Sequence, residues 1–182
     1  MGKETSSLTR QRGFTLIELL IVITILGLLF SIVIPTAQTS INRARIKSTM
    51  KNISIISEAI TNYSTDNGYT PTQNGTYDSS SAFYTGLVPF YIKVLPIKDK
   101  WENDFRVWCG INAEGNYGIS GAIKDDFLIA SFGKDNTKEE EFSFNSYSPE
   151  DGFFVLSKKV DFNKDLVMLN ATWIRRPRNI RN

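Results

Sequence analysis

Residues 14–34 read FTLIELLIVITILGLLFSIVI, an apolar run of 21 residues with a single charge, Glu18. Wound as an α-helix at about 1.5 Å per residue, the run spans roughly 31 Å, the thickness of a bilayer's hydrocarbon core. Residues 1–13 carry Lys3, Arg10 and Arg12 against Glu4. A basic flank before an apolar run keeps the short N-terminus in the cytoplasm and exports the chain beyond Pro35. A cleaved secretory signal has the same charge order, but its apolar region is about 7–15 residues and ends at a small-x-small site. Pro35-Thr36-Ala37 is a poor site of that kind, so a permanent anchor is expected. Glu18 is the anomaly. A carboxylate deep in a bilayer costs about 2.5–3.5 kcal/mol, and such residues usually have a partner and a function. Glu18 lies roughly 6 Å along the helix from the start of the run, so the cost is partial. Two readings stand: a tolerated charge near the interface, or a carboxylate awaiting a cation from another subunit.

Composition removes most chemistry. There is no histidine among the 182 residues, so every Ser-His-Asp or Cys-His arrangement and every His-ligated metal is excluded. The one cysteine, Cys109, excludes an intrachain disulfide and any cysteine cluster. With 21 basic against 19 acidic side chains, the charge is too balanced for a dedicated nucleic-acid binder. A content of 41% apolar residues supports a folded core. A small, folded, non-enzymatic protein is expected.

The segment Arg12-Gly13-Phe14-Thr15-Leu16-Ile17-Glu18-Leu19-Leu20, after a short basic leader, resembles the class III signal of type IV pilins and type II secretion pseudopilins. Gly27 and Pro35 extend the likeness. The resemblance implies cleavage between Gly13 and Phe14 by a prepilin peptidase, then N-methylation of Phe14. It also implies assembly with other pilin-like subunits into a filament, from an inner-membrane platform, with Glu18 contacting the Phe14 amine of an adjacent subunit. Such cleavage removes Lys3, Glu4, Arg10 and Arg12, taking the side-chain charge from +2 to zero. A neutral subunit stacks in large numbers without accumulating repulsion.

Beyond Pro35, which is expected to kink or open the helix, Ile46, Met50, Ile53, Ile56, Ile60 and Tyr63 recur every three or four residues. This is an amphipathic helix with one buried face, ended by Gly68. Residues 66–103 read as a loop-rich connector with a short helix within 83–94, broken at Leu95-Pro96. Gly68-Tyr69-x-Pro71, Leu95-Pro96 and Asp99-Lys-Trp101-Glu-Asn103 resemble the connector of major pseudopilins, with Lys100 and Glu102 where that family often has Pro and Gly. Five strands are expected, at residues 104–109, 116–122, 127–132, 152–158 and 166–174. Gly115-x-x-Gly118-x-x-Gly121 reads as turn and strand glycines, because it lacks both a Lys-Ser/Thr ending and a helix after it.

The fold expected is α+β: a long N-terminal helix, transmembrane in its first half and amphipathic in its second, packed on a small antiparallel sheet, pilin-like. Its parts are a leader (1–13), an anchor and assembly helix (14–35) and an exported head (36–182). The head holds the amphipathic helix (36–65), the connector and the sheet with its tail (104–182).

Major pseudopilins carry a Ser-x-Gly-x-Asp-Gly loop and then an acidic stretch, which together bind calcium. Ser131-Phe-Gly133-Lys-Asp135 resembles the first part, and Asp161 and Asp165 are candidates for the second. Asn136 replaces the glycine, and some residues intervene that the family lacks; a solvated acidic loop is the other reading. Arg175, Arg176, Arg178 and Arg181 form a basic tail, read as solvated or as pairing with a neighbour's acidic loops. Cys109 is a small strand residue with no redox role. The leading expectation is a type II secretion pseudopilin in the inner membrane with an extracytoplasmic head, needing no cofactor. A type IV pilin or minor pilin, and an anchored binding module or enzyme, are the alternatives.

Overall fold

The computed structural model describes residues 13–178, so Lys3, Glu4, Arg10, Arg12 and Arg181 lie outside the described residues. The chain divides into two compact units, Met1–Ser40 and Ile41–Asn182. One helix, α1 (Leu16–Asn67), runs 52 residues. In the first unit, the large apolar side chains of residues 14–34 are 43–88% exposed, so the chain itself covers no side of this segment. It is long and apolar enough to cross a membrane. The helix continues through Pro35 without the expected opening. A single N–H is lost there, and the Thr36 and Thr39 hydroxyls donate to the carbonyls of Val33 (2.8 Å) and Pro35 (3.1 Å).

In the second unit, the expected face of α1 is the buried one. Ile46, Ile53, Ile56, Ala59 and Ile60 are fully buried, with Met50 and Tyr63 partly so. Each buried isoleucine contributes about 1.5–3 kcal/mol relative to exposure. The helix ends at Gly68, whose φ of 75° is left-handed and whose N–H donates to the Ser64 carbonyl at 2.8 Å.

The partner of this face is a six-stranded sheet: β1 (Asn74–Thr76), β2 (Arg106–Cys109), β3 (Phe127–Ser131), β4 (Phe153–Phe154), β5 (Leu166–Leu169) and β6 (Thr172–Pro177), ordered β1-β2-β3-β5-β6-β4. All neighbours are antiparallel except β4 and β6, which are parallel. The central strand β3 is buried on both faces, which explains its unbroken apolar run. Phe127 and Ile129 pack toward α1, while Leu128 and Ala130 pack with Trp108, Tyr117, Val167 and Ile174 on the other side.

Several expected elements differ. The strand expected at 166–174 is a hairpin. Asn170 and Ala171 both take positive φ (45° and 61°), the backbone of a tight two-residue turn, and they split β5 from β6. Residues 116–122 are not a strand but begin with a 3₁₀ turn (Asn116–Gly118), because Gly115, Gly118 and Gly121 all have φ near 75°. The strand expected at 152–158 shrinks to Phe153–Phe154. Within the connector, β1 forms against β2, an additional strand. The short helix, α2 (Ala82–Leu87), stops before Val88, the residue preceding Pro89, since proline disfavours helical backbone in the residue before it.

Candidate functional site

Four residues build the N-terminal end of α1. Gly13 and Phe14 precede the helix, and Phe14 is exposed. Thr15 and Glu18 then form a reciprocal cap. Glu18 Oε2 accepts from the Thr15 N–H (2.9 Å) and hydroxyl (2.7 Å), and the Glu18 N–H donates to Thr15 Oγ1 (3.3 Å). The two Thr15 donors converge on one carboxylate oxygen. Thr15 is the residue that the sequence reading overlooked, although threonine three positions before glutamate at the head of an apolar run is a capping signature.

The three acidic residues considered for calcium are held in different ways. Asp161 Oδ2 accepts from the N–H groups of Ser157 (2.8 Å) and Lys158 (2.6 Å), capping the 3₁₀ turn Lys159–Asn163, and Oδ1 lies 3.9 Å from Lys164 Nζ. Burial pushes its carboxyl up, but those amides and the nearby lysines hold it below the ordinary carboxylate range. Asp135 is exposed and accepts from the Thr137 N–H at 3.2 Å. Asp165 is wholly buried. Its Oδ2 accepts from the Tyr117 hydroxyl (2.6 Å) and the Glu139 N–H (2.9 Å), while its Oδ1 has no partner among the described residues. Burial, reinforced by the Glu139 and Asp135 carboxylates, pushes Asp165 up to about 6 against these two hydrogen bonds. Calcium needs six to eight oxygens, and among the described residues no three acidic, cysteine or histidine side chains converge. Asp135, Asp161 and Asp165 therefore supply no three-carboxylate cluster by themselves.

The motif residues instead hold the head together. Asp99 Oδ1 accepts from the N–H groups of Trp101 (2.8 Å) and Asn103 (3.0 Å), while Oδ2 accepts from the Ser131 hydroxyl at 2.7 Å. Asn103 Nδ2 donates to the Gly133 carbonyl at 2.8 Å. The connector and the Ser131–Gly133 loop are thus bonded directly. Glu102 and Asn136 both take left-handed backbone (φ 67° and 55°), a conformation that favours glycine.

The basic tail is largely not a tail. Arg175 and Arg176 lie within β6, and Arg175 is buried. The Arg175 guanidinium grips Glu139 with two nitrogens, Nε to Oε2 at 3.0 Å and Nη2 to Oε1. It also lies over the rings of Phe142 and Phe154. A solvated reading fails because aromatic surface and an internal carboxylate surround the charge. Cys109 is buried in β2, and burial pushes its thiol up to about 12.

Comparison with known proteins bears on the same segments. Residues 8–34 match the prokaryotic N-terminal methylation motif. The chain is 36% identical over 124 residues to the type II secretion system core protein G of Escherichia coli, covering 64% of this chain and 83% of that protein. It is 33% identical over 103 residues to the core protein G of Vibrio cholerae, covering 53% and 70%. The type IV major pilin protein PilE1 of Neisseria gonorrhoeae is 30% identical over 106 residues, covering 58% and 64%. No solved structure matches.

Proposed function

The chain belongs to the type II secretion system core protein G family of pilin-like filament subunits, and on that premise we propose how it matures and assembles. A prepilin peptidase cuts between Gly13 and Phe14, the new Phe14 amine is methylated, and an inner-membrane platform adds the subunit to a filament that drives protein export. Before assembly the N-terminus faces the cytoplasm and the head lies outside the inner membrane. The protein is structural and requires no cofactor.

The observation that carries this reading is the bare apolar surface of residues 14–34, with Glu18 its one acid. Lipid covers such a surface before assembly, and the same segment of other copies covers it afterwards. Two details support the maturation step. Phe14 is exposed outside the helix, and a Cβ added at Gly13 would meet nothing within 4 Å. The chain's own packing therefore sets no demand for glycine at the cut. In the filament, the Phe14 amine of one copy pairs with Glu18 of another through Oε1, the oxygen that Thr15 does not use. Both charges then leave lipid together, which fixes the register of the helices.

Mass spectrometry of the protein from its native membrane tests maturation: a chain starting at singly methylated Phe14 is expected, and one retaining Met1 overturns it. Glu18→Gln is expected to insert and mature normally while lowering filament recovery about tenfold, since it leaves the amine unpaired in an apolar bundle. Filaments formed at the wild-type level would remove Glu18 from assembly.

A further inference from the structure

A cleft of about 310 Å³ opens between the turn at residues 118–120, the segment 144–147 and the β5–β6 hairpin at Leu169 and Asn170. Its apolar lining, Ile119, Phe144 and Leu169, belongs to the cluster on the face of the sheet away from α1. A volume of about 300 Å³ is at the small end of ligand sites. Each wall is tied to the next. The Gly115 N–H donates to the Ile119 carbonyl at 2.9 Å, closing the first turn. The Phe144 N–H donates to the Tyr117 carbonyl at 2.7 Å, and a Cβ at Gly118 would fall 1.9 Å from Ser143 Oγ, so these two walls touch. At the hairpin, Asn170 Nδ2 donates to Asp126 Oδ1 (2.7 Å) and Asn170 Oδ1 accepts from the Phe127 N–H (2.8 Å).

The rim of this cleft carries groups that the fold does not use. Tyr147 is 95% exposed. One exposed ring signifies little by itself, but this one stands on a tight turn. Asn145 Oδ1 accepts from the Tyr147 N–H (2.9 Å), and the Ser148 N–H donates to the Asn145 carbonyl (3.1 Å). Asn145 Nδ2 and the hydroxyls of Ser120 and Ser146 have no protein partner among the described residues. Charge narrows the class of ligand. No lysine or arginine lines the cleft, so nothing there answers a phosphate, sulfate or carboxylate. Asp126 is the charged lining residue, and each of its oxygens already accepts one hydrogen bond, from Asn170 and from the Ile123 N–H at 2.8 Å. A ligand that fits shows an apolar face to a tyrosine ring and neutral hydroxyls to amide, hydroxyl and carboxylate groups. An uncharged sugar ring has that chemistry.

We propose that this cleft binds an uncharged carbohydrate chain, with one pyranose ring stacked on Tyr147 and its hydroxyls bonded to Ser120, Asn145 Nδ2 and Ser146. The C–H face of the sugar replaces water on the tyrosine ring, an amphipathic surface suited to that exchange. The lone pairs left on Asp126 accept from further hydroxyls, since an ionised carboxylate offers about four acceptor positions. The site is complete within one copy of the chain, so binding does not depend on assembly. The filament reading above adds one consequence. The cleft repeats at every subunit, and a long polysaccharide that engages several at once gains affinity without any new contact.

The test is calorimetric titration of the full-length chain, solubilised in a detergent without a sugar headgroup, with maltohexaose, cellohexaose and fully N-acetylated chitohexaose. At least one of these is expected to bind. Tyr147→Ala is expected to weaken that binding about tenfold or more, while Tyr147→Phe, which keeps the ring, stays within about twofold of wild type. Ser120→Ala and Ser146→Ala are each expected to weaken it about threefold, the loss of one neutral hydrogen bond. The melting temperature of Tyr147→Ala is expected to match wild type, because the ring packs on nothing, which separates a lost site from a lost fold. Absence of binding to all three sugars at millimolar concentration overturns the proposal, as does sugar binding that Tyr147→Ala leaves intact. Reduced, alkylated lactalbumin that binds where no sugar does, and is lost in Tyr147→Ala, would overturn it in favour of an extended polypeptide. All of these readings are taken on the subunit, so a chain that binds sugar yet forms no filament would overturn the filament reading alone.

Discussion

The Asp99 carboxylate accepts a hydrogen bond from the Ser131 hydroxyl at 2.7 Å, joining two segments 32 residues apart in a buried contact. Asp99 also arranges its own turn by accepting from two backbone amides, so one side chain both shapes the connector and fastens it to the end of β3. Ser131→Ala leaves Asp99 Oδ2 without this donor in a buried place, an expected loss of about 1–3 kcal/mol in urea unfolding. Ser131→Thr, which keeps the hydroxyl, is expected to retain most of that stability. Equal losses for both variants would show that volume rather than the hydrogen bond matters there.

Arg175 and Glu139 form an ion pair largely withdrawn from water, between β6 and the segment after β3. Arg175→Met strands the Glu139 carboxylate beside Asp165 and is expected to cost about 3 kcal/mol. Pairing it with Glu139→Gln removes the stranded charge and is expected to recover more than half of that loss. A double-mutant cycle on urea midpoints measures this, and simple additivity of the two losses would contradict it.

Asp165 sets a pH dependence of opposite sign to the common one for acids. Its folded-state carboxyl is pushed up to about 6 from an ordinary value of 3.8, so the folded protein binds the extra proton between those values. Stability therefore falls as pH rises from about 4 to about 6, then levels, with a span of up to about 3 kcal/mol. The melting temperature, followed with a chelator present, is expected to rise on acidification from pH 7 to pH 5. Asp165→Asn flattens that rise. The chelator alone is expected to leave the pH 7 melting temperature unchanged, since no three carboxylates cluster among the described residues; a marked drop would place calcium in the head.

Legible in the sequence was whatever depends on near neighbours along the chain. The apolar spacing of Ile46, Ile53, Ile56 and Ile60 fixes the buried face of α1, and Gly68 ends it, because both arise from local helix geometry. The hairpin at Asn170 and Ala171 was hidden because alanine carries no left-handed preference, so the run from Leu166 onward looks like one strand. Arg175 read as solvated because its partner, Glu139, lies 36 residues away, and Phe142 and Phe154 reach it only once the sheet has formed. The capping role of Asp161 was hidden because spacing counts carboxylates and does not reveal the two backbone amides that donate to this one. At the other end of the chain, Thr15 and Glu18 are three residues apart, and their mutual cap was legible in principle.

Cys109 turns the sheet into its own reporter. The chain has no second thiol, and this one sits in β2 with its ionisation suppressed by burial. A maleimide or disulfide reagent therefore finds nothing to react with while β1, β2 and β3 stay paired. Its labelling rate counts the openings of that edge of the head, one molecule at a time, without any engineered probe. Applied to free subunits and to filaments alike, the same native atom would clock how far incorporation quiets the breathing of the subunit.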